Sequence, residues 1–216
     1  MGDLRQLTGL CPISIAGDAT KCRNLRCVAR WQPDARERLA LAALDLFAEH
    51  GYENTTVIDI AERAGLTKST FFRHFPDKRE VLSGGNTMPR LLVEGIAGAP
   101  ANATPLQAIA SALDLAGQKL FVPARRDFVT RRRAVIAASA ELQEREALKG
   151  LALLASMTEA LRQRGVADMT AQMAAQTGAL ALKLAFDRWL DPDNEAEFGQ
   201  VARRTLAELQ TATAAC

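Results

Sequence analysis

A chain of 216 residues with 48% hydrophobic and 24% charged side chains holds enough apolar surface for a sizeable core, in one compact domain or in a small and a larger one sharing a helix. Its net charge of +2, from 27 basic and 25 acidic residues, neither implies nor excludes a nucleic-acid partner, so local clustering has to decide. No stretch approaches the ~18 consecutive apolar residues of a membrane span.

Residues 1–33 carry no apolar period and read as a disordered or non-native N-terminal extension. Asp3 precedes the first Arg, and Pro12 breaks the weak apolar run, so a signal peptide is not expected. From Cys22 on, Arg23, Arg26 and Arg30 stand without an acid, as in a solvated tail or, alternatively, a basic arm on DNA phosphates. Cys11, Cys22, Cys27 and Cys216 are badly placed for a disulfide framework, and Cys22-x4-Cys27 lacks a second Cys/His pair for zinc. Reduced thiols, a cytoplasmic location, no metal and no cofactor are the expectation.

Order begins at "PDARE", where Asp34 followed by Glu37 makes a capping-box pattern. Leu39, Ala43, Leu46 and Phe47 then recur on one helical face until His50-Gly51 ends the helix. Thr56-x-x-Asp59 opens a second helix with Val57, Ile60, Ala61 and Ala64 as its stripe. Only Gly65, Leu66 and Thr67 separate it from a third, which closes at Phe75-Pro76. Asp77-x-x-Glu80 opens a fourth, interrupted by the SGGN of 83–86. Three helices joined by such short turns make a helix-turn-helix unit. Beyond it the chain stays Ala/Leu-rich, with helices expected at 105–119, 124–138, 140–164, 168–190 and 195–211, so the fold class is all-α.

The stretch "GLTKSTFFRHF" at 65–75 decides what the unit does. At about 100° per residue, Phe71 and Phe75 share one face and belong to the core. Ser69 and Arg73 centre the opposite face, flanked by Thr70 and Phe72, with Lys68 and His74 at its margins. Such a face suits a major groove: Arg reads guanine bidentately, while Thr and Phe meet a thymine methyl. Thr67 as N-cap leaves the helix start open to a phosphate. From Arg63 to Glu80 five basic residues face two acidic ones, whereas Asp34 to Glu62 holds two basic and seven acidic, so positive potential is confined to the turn and the third helix. A helical hairpin with an ordinary solvated face stays open on periodicity alone.

Residues 39–82, "LALAALDLFAEHGYENTTVIDIAERAGLTKSTFFRHFPDKREVL", resemble the DNA-binding domain of TetR-type transcriptional repressors. The series LFAEHGY, TTVIDIA, AG plus a polar turn, and FFRHF-x-DK carries the resemblance over the length of that domain. It implies a helix-turn-helix domain at 34–80 and a larger helical effector-binding and dimerisation domain at 81–216. Thr67, Lys68, Ser69 and Thr70 then form the first turn of the recognition helix, and Thr56, His74 and Lys78 match positions near the DNA backbone. Phe72 stands where the family often has a Tyr against a phosphate, and Phe cannot donate that bond.

The resemblance further implies a homodimer through the last two long helices, about 168–190 and 195–211, a double-stranded palindromic operator, and a small-molecule effector. On 168–190, Met169, Met173, Leu180 and Leu184 line one face. On 195–211, Phe198, Val201, Ala202, Thr205, Leu206 and Leu209 form a stripe, read as part of a four-helix interface rather than intrachain core alone. Phe121, Phe128, Met157, Met173 and Trp189 are the candidate pocket lining. Arg125, Arg126, Arg131, Arg132 and Arg133 read as a solvated face, or alternatively as an anion site. Gly84-Gly85 is a candidate hinge. An enzyme is not expected: both His lie in the DNA-binding unit, and no Ser-His-Asp order, metal spacing or phosphate loop occurs. The competing reading is a ligand- or protein-sensing helical module without DNA binding of its own.

Overall fold

The computed structural model describes residues 34–83 and 85–214. Residues 1–33, Gly84 and 215–216 lie outside the described residues, and with them the expected N-terminal extension, all four Cys and half of the glycine pair. Among the described residues there are helices and turns but no strand, as the all-α reading expects.

Helix α1 (Ala35–His50) starts where the Asp34 side chain accepts from the Glu37 N–H. Gly51 ends it at φ 82, a backbone region closed to most L side chains. Helix α2 (Val57–Arg63) has a full capping box between Thr56 and Asp59. Helix α3 (Lys68–His74) is capped by Thr67, whose hydroxyl accepts from the Thr70 N–H. Leu39, Leu44, Phe47, Ile60, Phe71 and Phe75 close a compact core between these three helices.

The fourth helix departs from expectation. Asp77 does accept from the Glu80 N–H, yet it caps only a 3-10 turn, Lys78–Glu80. Helix α4 begins ten residues later (Thr87–Ala97), after Gly85 takes φ 63. The glycines make continuous helix costly here, while Val81 and Leu82 gain burial against the core of the first three helices.

Helix α5 (Pro105–Leu120) follows with its Thr104/Gln107 capping box and Pro at the first turn. Then come α6 (Arg126–Ala137), α7 (Ala140–Gln163), α8 (Asp168–Trp189) and α9 (Phe198–Ala214). A second core joins α4, α5, α7, α8 and α9 around Leu92, Ile109, Met157, Trp189 and Phe198. Small residues allow the close crossings: a Cβ on Gly95 would lie 2.4 Å from the Ala112 Cα.

Three expectations change here. On α9, Phe198, Val201, Ala202, Thr205 and Leu206 are buried within the chain, so this stripe is intrachain core. Periodicity shows that a face is covered but not by which chain. On α8, by contrast, the small residues Ala171, Ala174, Ala175, Gly178, Ala181 and Ala185 turn inward, while Met169, Met173 and Leu180 are exposed at 70%, 59% and 45%.

The five candidate pocket residues also part company. Phe121, Met157 and Trp189 sit in the second core, where Phe121 stacks on Phe198 at 4.1 Å between ring centroids. Phe128 packs instead against the core of the first three helices, and Met173 is exposed.

The arginines of α6 are neither a free solvated face nor an empty anion site. Arg131 pairs with Asp45 of α1, Arg132 pairs with Glu146 at 2.5 Å, and Arg133 pairs with Asp187 of α8 at 2.7 Å. Arg126 donates to the Asn194 carbonyl and lies 5.0 Å over the Trp189 ring, while Arg125 lies 6.0 Å over Phe128. Arg126, Arg131, Arg132 and Arg133 fasten α6 to its neighbours, while Arg125 stays exposed.

Candidate nucleic-acid interface

Two turns of α3 separate a buried face from an exposed one. Phe71 and Phe75 are buried at 0% and 2% exposure, while Phe72 is 48% exposed. Phe71 meets Phe72 edge-on at 5.5 Å and Phe75 at the same centroid distance. Burying the i, i+4 pair therefore fixes the rotation of α3 and turns Ser69, Phe72 and Arg73 to solvent. Thr67 and Lys68 are exposed beside them, and Thr70 and His74 are half-buried at the margin.

Thr70 is held from below. Its hydroxyl lies 2.9 Å from that of Thr67, and its N–H donates to Thr67 Oγ1 at 3.1 Å. Thr56 is similarly engaged: its N–H and its hydroxyl both reach Asp59 Oδ2 at 2.8 Å. Hydrogen bonds from the Thr56 backbone and side chain hold the Asp59 carboxyl below its ordinary value.

Pairing redraws the charge that the sequence counts over residues 63–80. Arg63 makes a two-pronged pair with Glu49, at 3.1 and 2.8 Å, and the hydrogen bond from Arg63 holds Glu49 low. Arg79 reaches Asp77 at 3.1 Å and Glu141 at 3.6 Å. Glu80 is buried and takes Arg145 on one oxygen and Lys149 on the other. Lys68, Arg73 and Lys78 make no ion pair among the described residues, and the first two place unneutralised positive charge on α3.

Lys78, expected near the DNA backbone, is engaged within the chain. Its ammonium donates to the Tyr52 carbonyl at 2.8 Å and to that of Thr55 at 3.0 Å. It also lies 4.0 Å from the Tyr52 ring centroid. Two of its three N–H donors are thus committed to the α1–α2 loop, and the residue works as an internal clamp.

Sequence reading did not find the residues that tie this unit to the rest of the chain. Beyond the Arg131–Asp45 pair, the Tyr52 hydroxyl donates to Glu141 at 3.0 Å, and Arg132 Nε donates to the Leu82 carbonyl at 2.5 Å. Burial, followed by the bond to Glu141, pushes the Tyr52 phenol well above its ordinary value. Burial also acts to raise Glu80, but the hydrogen bonds from Arg145 and Lys149 outweigh it and hold that carboxyl low. Val135 of α6 and Leu142 of α7 even enter the core of the DNA-binding unit. The only signal in the sequence was the density of Arg on α6, which says that acids are needed but not which ones.

Residues 40–83 match the profile of bacterial regulatory proteins of the tetR family. Over 78 residues the chain is 41% identical to the HTH-type transcriptional regulator TcmR of Streptomyces glaucescens, a match covering 36% of this chain and 34% of that protein. The chain therefore spans about a third of that relative's length. Among solved structures, the complex of SmeT with triclosan aligns with a TM-score of 0.56 at 21% identity, over 82% of this chain and 90% of SmeT; SmeT is the Stenotrophomonas maltophilia repressor of the multidrug efflux pump SmeDEF. NalD, the secondary repressor of the MexAB-OprM multidrug efflux pump in Pseudomonas aeruginosa, aligns with a TM-score of 0.52 at 24% identity, over 82% and 95% of the two chains. These two structures share the whole two-part helical fold.

Proposed function

We propose that this chain, whose residues 40–83 carry the DNA-binding domain of the tetR family of bacterial regulatory proteins, is a sequence-specific transcriptional repressor released by a small-molecule effector. The observation that carries the reading is the division of α3 between buried Phe71 and Phe75 and an outward face with unpaired cations. Arg73 reads a base edge, with Ser69, Thr70 and Phe72 in apolar or hydrogen-bond contact around it. Thr67 and Lys68 meet phosphate at the start of α3, and Thr56 and His74 flank the same strand. In this reading the protein acts by binding DNA, in the cytoplasm.

One helix of seven residues reads too few base pairs, and two related by a two-fold axis read a palindrome. The exposed Met169, Met173 and Leu180 of α8 make the apolar part of the homodimer face, with the outer side of α9 beside it. The effector enters the second core, where Phe121, Met157 and Trp189 supply an apolar, aromatic lining; Phe128 and Met173 lie away from it. An effector that favours one arrangement of that core shifts the population of dimers whose recognition helices fit the groove. The shift travels through α6 and α7, whose pairs with Asp45 and Glu80 grip the DNA-binding unit, rather than through the glycine linker alone.

Selection from random duplexes followed by gel shift tests the reading. A palindromic site bound by dimers is expected, and Arg73→Ala is expected to weaken it by about 1–3 kcal/mol and relax one position in each half-site. A wild-type protein that enriches no duplex would instead leave a sensing module without DNA binding of its own.

A further inference from the structure

Helices α2 and α3 have seven residues each, so most of their backbone groups lie at an end without an intrahelical partner. Thr56 and Thr67 serve the N-termini, as described. At the C-termini, beyond backbone bonds such as those of the Gly65 and Leu66 N–H groups to the Glu62 and Ala61 carbonyls, the side chains that reach the open carbonyls come from the first turn of α1. Arg38 donates through Nη2 to the carbonyl of Ala64 and reaches that of Gly65 at 3.5 Å. Arg36 donates through Nη1 to the carbonyl of His74 at 3.2 Å, and its guanidinium carbon lies 4.7 Å over the Phe75 ring. Each guanidinium therefore sits at the negative end of a helix dipole, one at the turn that precedes α3 and one at the end of α3.

Gly65 makes the first contact possible. A Cβ built on it would lie 3.1 Å from Arg38 Nη2, so a side chain at the turn would press on the guanidinium. Neither Arg36 nor Arg38 forms a salt bridge among the described residues, and the carbonyls supply their visible partners.

We propose that Arg36 and Arg38 are positioning residues for sequence readout: they hold the turn before α3 and the end of α3 against α1, and so set where Arg73 meets a base without touching DNA themselves. This rests on the DNA-binding reading above. Arg36 is exposed and Arg38 half-buried, so the alternative role for either is a direct phosphate contact, and the two roles predict different salt behaviour. Losing a phosphate contact lowers the slope of log affinity against log salt by about 0.9 per contact, and so by about 1.8 for a dimer that loses one from each protomer. Losing a positioning residue lowers affinity for the chosen site while leaving that slope and the affinity for random duplex unchanged.

The experiment measures binding of Arg38→Met and Arg36→Met to the duplex selected by the wild-type protein and to a random duplex, each over a salt series. The expected result is a fall of about tenfold in the ratio of specific to non-specific affinity, with an unchanged salt slope. Arg38→Lys recovers part of the loss, since an ammonium can serve one carbonyl. In an Arg73→Ala background the penalty of Arg38→Met shrinks, because there is no longer a base contact to misplace. An unchanged ratio, a slope reduced by one phosphate per protomer, or full additivity with Arg73→Ala overturns the proposal. Should Arg38→Met fail to fold, the exposed Arg36 decides by the same measurements. A wild-type protein that selects no duplex refutes the DNA-binding reading instead, which is a separate and visible failure.

Discussion

The DNA-binding unit and the helical domain behind it solve the same packing problem by opposite means. In the first, short helices are pinned by named side chains: Asp34, Thr56 and Thr67 at N-termini, Arg38 and Arg36 at C-termini, and Phe47, Phe71 and Phe75 in the middle. In the second, helices of up to 24 residues lie close because the contact residues are small, as where Gly95 crosses Ala112 and Gly178 faces Ile109 and Met157. A unit built from few strong constraints keeps one geometry, as reading bases requires. A stack of long helices meeting at small side chains can slide by fractions of an ångström, as the proposed response to an effector requires.

The sharpest test of the first half of that comparison is Phe71→Ala. Phe71 is fully buried and sits between Phe72 and Phe75, so the deletion leaves a cavity beneath the recognition helix. A loss of about 3–5 kcal/mol is expected, read by urea unfolding followed by circular dichroism. A loss below about 1 kcal/mol would mean that α3 is not anchored through this ring.

Gly95→Ala tests the second half with a single methyl. That methyl would meet the Ala112 Cα at 2.4 Å and its N at 3.0 Å, and neither backbone atom can rotate away. Helices α4 and α5 must part, at a cost of about 2–3 kcal/mol. Because the crossing lies in the second core, operator affinity of the folded fraction is expected to hold while the unfolding midpoint falls.

How much of this was legible in the sequence follows the same division. Caps are local: Thr56 and Asp59 are three residues apart, and both halves of their box form as the spacing implies. The split between Phe71 and Phe72 is likewise local, a matter of 100° per residue. Partner choice over distance is not local. Arg145 finds Glu80 across 65 residues and Arg131 finds Asp45 across 86, and no periodicity singles out either acid. The stripe on α9 was visible, but whether α5 and α8 or another chain would cover it was not, since burial by either leaves the same pattern.

The Glu80 junction joins the two regions, and Glu80→Gln is the next test. Its side chain is 11% exposed, against 38% for Arg145 and 26% for Lys149. The partners are partly solvated, so the loss at neutral pH is about 1–2 kcal/mol, below that of a fully buried pair. The folded carboxyl lies below its ordinary value of 4.5. Its contribution is therefore complete above that value and disappears as pH falls through the folded one. The stability gap between wild type and Glu80→Gln is expected to stay constant from neutral pH down to about pH 5 and to close in more acid solution. A gap that persists there would mean that the charge of Glu80 is not what stabilises the junction. The same variant should also blunt effector release while leaving operator affinity intact.

The smallest effect expected is also the most informative about the outward face. Phe72 is half exposed, and its edge-on contact with Phe71 leaves the far end of the ring in solvent. Phe72→Tyr adds a hydroxyl there without disturbing packing, so stability is expected to change by less than about 0.5 kcal/mol. If the ring lies against a phosphate, the new donor gains a hydrogen bond worth about 0.5–1.5 kcal/mol, a rise of up to about tenfold in affinity for specific and random duplex alike. If the ring instead meets a thymine methyl, the hydroxyl crowds that contact, and affinity falls only for the selected site. The ratio of specific to random binding therefore says which part of DNA Phe72 faces, and a ratio and affinity that both stay fixed would take Phe72 off the interface.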